Sequence, residues 1–217
     1  MVGSPLLDMK DVLIINAGGF GRAMAMVAKS DPAHEKVWRV RGFLDGRAGL
    51  KQIAELPILG DPLTHRYQSP QILVCALGDP LQRRKYAQPL LDQGADFMNL
   101  MPDLHRSDRV KMGVGCLFER HVSIGPDAEL GSFVIVLSNT ILGYDVQVGS
   151  YSTIGSFVFI GGGAQIGENV VIHPHAVILP KVKIGDGVVV GAGSVVIGNV
   201  PAGVTVFGNP AKRFRFK

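Results

Sequence analysis

Ile154-Gly155-Ser156-Phe157-Val158-Phe159-Ile160-Gly161-Gly162-Gly163-Ala164-Gln165-Ile166-Gly167 carries an aliphatic residue at every sixth position, each followed directly by glycine. The frame runs on in both directions without a break, through Phe118, Ile124, Leu130, Val136, Leu142 and Val148 upstream. Downstream it continues through Ile172, Ile178, Ile184, Val190 and Val196, making fourteen positions, nine of them followed by glycine. A helix repeats every 3.6 residues and a half-buried strand every two. Neither yields a period of six, whereas a solenoid with one short strand and one corner per hexapeptide does. Three faces make a coil of eighteen residues, so fourteen hexapeptides stack about four and two-thirds coils, roughly 22 Å high at strand spacing. The aliphatic residue is expected to fill the axis, and the glycine beside it to let the backbone turn the corner without a side-chain clash.

The first half of the chain has a different rhythm. Val12-Leu13-Ile14-Ile15 is a buried-strand run, and Ala17-Gly18-Gly19-Phe20-Gly21-Arg22 opens an Ala/Met-rich helix to about Lys29. Val40 to Leu44 ends in Asp45, and Ile72 to Leu77 ends in Gly78-Asp79-Pro80, where Asp79 can cap a helix whose first position is Pro80. This alternation predicts a small parallel α/β unit of Rossmann-like build over residues 1–105, followed by the repeats over 106–217. Such units bind ligands at the carboxyl ends of their strands, where Gly18, Gly19, Gly21, Asp45, Gly78 and Asp79 all fall. The glycine turn leaves free N–H groups at a helix N-terminus, suited to a phosphate. A dinucleotide fingerprint would place a third glycine at position 24, and the chain has Met24 there. On the residues alone, ligand binding and a purely structural turn are both open.

Composition narrows the classes. With 217 residues, 47% of them hydrophobic, the chain can bury one or two cores without disulfides or metals. The 28 glycines fit tightly repeated turns. Cys75 and Cys116 read as small buried hydrophobes. No charged-then-apolar N-terminal signal and no run of membrane-spanning length occurs, so a soluble cytoplasmic protein without a membrane partner is expected. The net charge of +4 equals the tail residues Lys212, Arg213, Arg215 and Lys217, leaving the remainder at zero. A nucleic-acid binder needs a basic face rather than a basic end, so nucleic acid is not an expected partner. A local phosphate contact by the tail stays open.

The hexapeptides, together with Val206-Phe207-Gly208-Asn209-Pro210-Ala211-Lys212, resemble the left-handed β-helix acyltransferase superfamily. Ala17 to Arg22, Phe43-Leu44-Asp45 and Leu77-Gly78-Asp79 narrow the resemblance to the sialic-acid O-acetyltransferase-like (NeuD/PglD-type) sugar acyltransferases, which include N-acetyltransferases of UDP-4-amino sugars. The resemblance spans about residues 11 to 213. It implies an acetyl-CoA-dependent sugar N- or O-acetyltransferase, built as a homotrimer, with no metal. It places the nucleotide of the sugar substrate on Gly18, Gly19, Gly21 and Asp45, with Gly78 and Asp79 close by. Phe20 stands where relatives carry histidine or another polar residue. Acyl-CoA is implied along the groove between neighbouring β-helices, at Thr153, Gly162, Gly191 and Ala192, with the basic tail near its phosphates.

The same resemblance implies a catalytic histidine followed by an acidic residue, at the second and third positions after an axial aliphatic. Counted from Leu142, those positions are Tyr144 and Asp145. A tyrosine of pKa about 10 is a poor base near neutral pH, though it can orient a nucleophile. Three readings follow. Asp145 or a histidine from another coil acts as base, the chain is an impaired homologue that binds a sugar nucleotide or partner enzyme, or His173 and His175 hold a metal. Steps of eighteen from His121 pass through Asn139 and Phe157 to His175, on a different corner from Tyr144. Surface residues are the plainer reading of His173 and His175, and His34, His65 and His105 lie outside the expected repeats.

Overall fold

The computed structural model describes residues 9–102 and 104–214 and falls into two units. One runs up to Leu77 and resumes over Gln82–Leu100; the other combines Gly78–Leu81 with Met101 onward.

The first unit is built on four parallel strands in the order β2-β1-β5-β6, namely Trp38–Leu44, Lys10–Ile15, Ile72–Cys75 and Asp96–Phe97. Helix α1 (Gly19–Lys29) follows β1 and helix α2 (Pro80–Leu91) follows β5, Pro80 taking the first helical position as the sequence predicts. A short hairpin, β3 (Gln52–Ile53) and β4 (Leu56–Pro57), comes between β2 and β5 and is not signalled by the sequence. Val12, Ile14 and Ile15 are fully buried because a parallel sheet shows neither face to water. Met24, in the position of the missing glycine, is fully buried as well. Since the chain passes from β1 to β2 on one side and returns to β5 on the other, the strand order reverses at β1.

The second unit is a left-handed parallel β-helix of three sheets, with six, five and seven strands. Every coil-to-coil pairing between His105 and Val196 is in register at eighteen residues, for example Ile124 on Leu142 and Leu142 on Ile160. All fourteen axial positions are at most 4% exposed. Two further strands precede the apolar frame, His105–Arg106 and Lys111–Met112, in phase with it but polar in part, so apolar spacing alone does not reveal them. His105 therefore belongs to the repeats, against the expectation. Beyond Val196 the last coil is shortened, Val190 pairing with Val206, and the chain turns back as an antiparallel strand, Lys212–Phe214. Arg215 and Lys217 lie outside the described residues.

One detail extends the sequence reading and a second corrects it. A second inward column, two residues before each axial position, is also buried: Val122, Ala128, Val134, Val146, Val158 and their equivalents. Where it is polar it is paired, Thr140 Oγ1 donating to the Gly155 carbonyl at 2.7 Å and Ser152 Oγ to that of Gly167 at 2.8 Å. The corner itself is not turned by the glycine next to the axis. It is turned two residues later, where every residue from His121 to Gly193 in steps of six has φ between 55° and 69°, glycine or not. A left-handed residue costs roughly 1–2 kcal/mol where a side chain is present. The coil below imposes it, the Asp145 N–H donating to the Pro126 carbonyl at 3.0 Å and that of Phe157 to Ser138 at 3.0 Å. Glycine beside the axis answers to spacing between coils instead: a Cβ on Gly143 would lie 2.7 Å from the Gly162 nitrogen.

Candidate functional site

In the first unit the ends of β1, β2 and β5 enclose a cavity of about 310 Å³. Ile15 and Asn16, Leu44 to Arg47, Asp61, Pro62, Leu77 and Tyr86 line it. It lies at the reversal of strand order, where open α/β sheets take ligands, and its volume is within the range of small-molecule sites. Asn16 takes a left-handed conformation, φ 79°, which asparagine tolerates better than most residues. Its amide ties the turn together, Nδ2 donating to the Ala76 carbonyl at 2.9 Å and Oδ1 accepting from the Gly18 N–H at 3.1 Å.

The three glycines of the turn differ. Gly18 is the N-cap of α1 and brings no side-chain cap. Gly21 is forced by packing, since a Cβ there would meet the Asn16 carbonyl oxygen at 1.8 Å. Gly19 faces open space, with nothing within 4 Å of an added Cβ.

Asp45 is 9% exposed and accepts four hydrogen bonds. The Ala17 N–H and Arg47 Nη2 donate to Oδ2 at 2.8 and 2.9 Å, the Arg47 N–H and Nε to Oδ1 at 3.0 and 2.9 Å. The Arg47 guanidinium, ahead of the backbone donors, brings the carboxyl from 3.8 down to about 2 although burial opposes it. Because the folded value is the lower one, this stabilisation is complete above pH 4 and is lost as pH falls through 2. Asp45→Asn is therefore expected to cost about 2 kcal/mol at pH 7 and only a small part of that near pH 2, where the folded carboxyl is half protonated and the unfolded one almost wholly so. Urea unfolding at pH 7 and near pH 2 checks it.

In the β-helix, Tyr144 and Asp145 share one corner. Tyr144 is 60% exposed, and its ring leans over Gly162 of the next coil, where a Cβ would come within 2.6 Å of it. Asp145 is exposed at φ 55°. One coil below, Asp127 is held bidentately by Arg109 at 2.6 Å through both Nε and Nη2. His121 and His175 share another corner's column, with the His175 ring stacked on Phe157 at 5.0 Å. His173 is exposed. Among the described residues, no three His, Cys, Asp or Glu side chains come together as metal ligands.

Of the positions that the resemblance implies for CoA, Thr153 donates through Oγ1 to the Gly78 carbonyl at 2.8 Å, bringing together two residues expected at different ligands. Asp79 follows, exposed, at the start of α2. Gly191 carries the ring of Phe207, which an added Cβ would meet at 2.2 Å, and Ala192 is exposed beside it. Phe207 in turn meets Phe214 edge-on at 6.4 Å, next to the exposed Lys212 and Arg213. Asn16, Arg47, Asp61, Tyr86 and Phe207 are contributors that the sequence reading does not single out. Only Asn16 gives a local signal, a polar left-handed former between a buried strand and a glycine turn.

Residues 11–90 match the PglD N-terminal domain family, and residues 163–198 match the bacterial transferase hexapeptide repeats. The chain therefore joins a PglD N-terminal domain to hexapeptide repeats and resembles the NeuD/PglD-type sugar acyltransferases. The acetyltransferase domain of PglB from Neisseria gonorrhoeae, solved with acetyl coenzyme A, superposes on this chain with a TM-score of 0.87 at 27% identity. The match covers 95% of this chain and 100% of that one. A histidine-to-alanine variant of GDP-perosamine N-acetyl transferase from Caulobacter crescentus, solved with CoA and GDP-perosamine, gives 0.84 at 27% identity, covering 97% and 99%. WeeI from Acinetobacter baumannii shares the fold, with a TM-score of 0.68 at 23% identity over 95% of this chain and 100% of that one. A comparison with curated proteins finds no match. No described helix is long and apolar enough to cross a membrane.

Proposed function

We propose that this protein is a sugar acyltransferase that moves an acetyl group from acetyl-CoA to an amino or hydroxyl group of a nucleotide-linked sugar. The observation that carries the reading is end-to-end similarity, in both units, to acetyltransferases solved with acetyl-CoA, CoA and GDP-perosamine. The nucleotide occupies the cavity at Asn16, Asp45 and Arg47, its phosphates facing the turn Gly18 to Gly21. The sugar is acylated at the corner of Tyr144 and Asp145. There its nitrogen or oxygen bonds to the thioester carbonyl carbon, the C–S bond breaks, and CoA leaves as a thiol with the proton that the acceptor gives up. Tyr144 orients the acceptor through its hydroxyl. The pantetheine arm runs past Thr153, Gly162, Gly191 and Ala192, flanked by the rings of Tyr144 and Phe207 rather than over bare glycine. Lys212 and Arg213 meet its phosphates. An impaired homologue that only binds draws no support from these relatives.

Acetyl-CoA turnover with UDP-, GDP- and dTDP-linked amino sugars, read by thiol release, tests the reading. Transfer to none of them would overturn it.

The active assembly is a homotrimer in the cytoplasm. One face of the β-helix points Lys111, Glu129, Gln147, Gln165 and Lys183 outward, as suits water, whereas the next carries Ile141 at 47% and Phe159 at 42% exposure on neighbouring coils. A repeated apolar face on a solenoid buries itself against copies of itself in a closed ring. Light scattering is expected to give three chain masses, and Phe159→Asp to give monomers. A wild-type monomer across micromolar concentrations would remove both the ring and the site between subunits.

A further inference from the structure

We infer that Arg47, held in place by Asp45, is the residue that reads the nucleoside end of the substrate, and that Asp45 is its positioning residue rather than itself a ligand contact. The inference rests on the sugar-nucleotide reading above and deepens it.

An ionised carboxylate offers about four lone-pair sites. On Asp45 all four are taken, by the Ala17 N–H, the Arg47 N–H, Arg47 Nε and Arg47 Nη2. It is also buried, so a ribose hydroxyl or a base N–H finds no free acceptor there without displacing one of these bonds. Arg47 is the opposite case. Its side chain is 56% exposed and lines the cavity. A guanidinium has five N–H groups, and only those on Nε and one on Nη2 are spent on Asp45. The remaining donors form a planar edge that suits paired acceptors.

Placement decides which end of the ligand it meets. One Asp45 carboxylate bridges the turn after β1, through Ala17, and the guanidinium after β2, so the two are fixed at a constant separation. The turn holds the N-terminus of α1 and its N–H groups, the natural site for phosphate. Arg47 stands on the β2 side, where the nucleoside lies when the phosphates sit at the turn. Asp61, also in the cavity, accepts the Leu63 N–H at Oδ1, and its Oδ2 makes no hydrogen bond among the described residues. The cavity therefore offers an acceptor alongside the guanidinium donors, as the edge of a nucleobase requires.

Titration calorimetry with GDP, UDP, dTDP and inorganic pyrophosphate separates base reading from phosphate binding. Arg47→Ala is expected to weaken the preferred nucleoside diphosphate about tenfold or more while pyrophosphate affinity holds. Arg47→Lys, a point donor without the fork, is expected not to restore it. In turnover the loss should sit in KM for the sugar nucleotide and leave kcat in place. Asp45→Asn should weaken binding when Arg47 is present and weaken it markedly less in the Arg47→Ala background, a coupling that a merely structural Asp45 would not show. Wild-type affinity in Arg47→Ala overturns the inference, as does an equal loss for pyrophosphate, which would make Arg47 a phosphate ligand. Wild-type protein that binds none of the nucleotides overturns the parent reading, and the inference falls with it.

Discussion

Tyr144→His is expected to raise kcat by about 10²- to 10⁴-fold, the usual worth of a positioned general base. The corner can accept the change, because the Tyr144 ring is exposed and rests on a glycine, Gly162, so the smaller imidazole meets no new neighbour. Asp145 stands next in the chain on the same corner and can hold the imidazole in the useful tautomer. No histidine or cysteine occupies this corner in the wild type; its ionisable groups are Asp108, Arg109, Asp127, Tyr144, Asp145 and Lys181. Acceptor chemistry sets where the gain is largest. A neutral amine attacks a thioester with its own lone pair and sheds its proton afterwards, whereas a hydroxyl needs the proton removed as it attacks. The gain should therefore be greater on hydroxyl sugars than on amino sugars, and should rise with pH around the ordinary imidazole pKa of about 6.5. It should appear in kcat, since nucleotide contacts lie in the other unit. Two results would count against it: wild-type turnover already at ordinary rates, of order 10 s⁻¹, or nearly complete loss in Tyr144→Phe. The first would mean the base lies elsewhere, and the second that the Tyr144 hydroxyl has a chemical role of its own.

Legibility followed the physics of each level. The period of six survives in the sequence because axial positions tolerate only apolar side chains, and every one from Phe118 to Val196 is buried. It fades where the coils do not need it, at Arg106 near the open end and past Val196 in the shortened coil. The left-handed corners leave almost no trace, since a coil-to-coil hydrogen bond forces His121, Phe157 or Lys181 into a conformation that none of them prefers. In the first unit, strand ends and glycine turns were readable as punctuation. Arg47 was not, because its role depends on folding back onto Asp45 two residues away, and two-residue spacing carries no periodic signal. Phe207 over Gly191 is a contact across sixteen residues, which only the shortened final coil brings about.

Gly19→Val and Gly21→Ala should fail in opposite ways, although two residues apart on one turn. At Gly19 an added Cβ meets nothing of the protein within 4 Å, and its φ is not in the left-handed region, so the fold should keep its wild-type melting temperature. What it should lose is the ligand. Branched carbons over the start of α1 keep a phosphate from the backbone N–H groups, and one or two charge-assisted hydrogen bonds are worth about 10- to 100-fold in affinity. At Gly21 the Cβ would lie 1.8 Å from the Asn16 carbonyl oxygen and 2.9 Å from its carbon, which only a shift of the turn or the helix relieves. Asn16 is anchored through Ala76 and Gly18, so that shift spreads through the strand ends, at a cost of about 3 kcal/mol. Calorimetric binding of the preferred sugar nucleotide, set beside thermal melts, separates the two. Undiminished affinity in Gly19→Val would make the turn a packing device alone. A Gly21→Ala protein as stable as the wild type would mean the turn is looser than its hydrogen bonds describe, and its phosphate-binding N–H groups less fixed in advance than the proposed site requires.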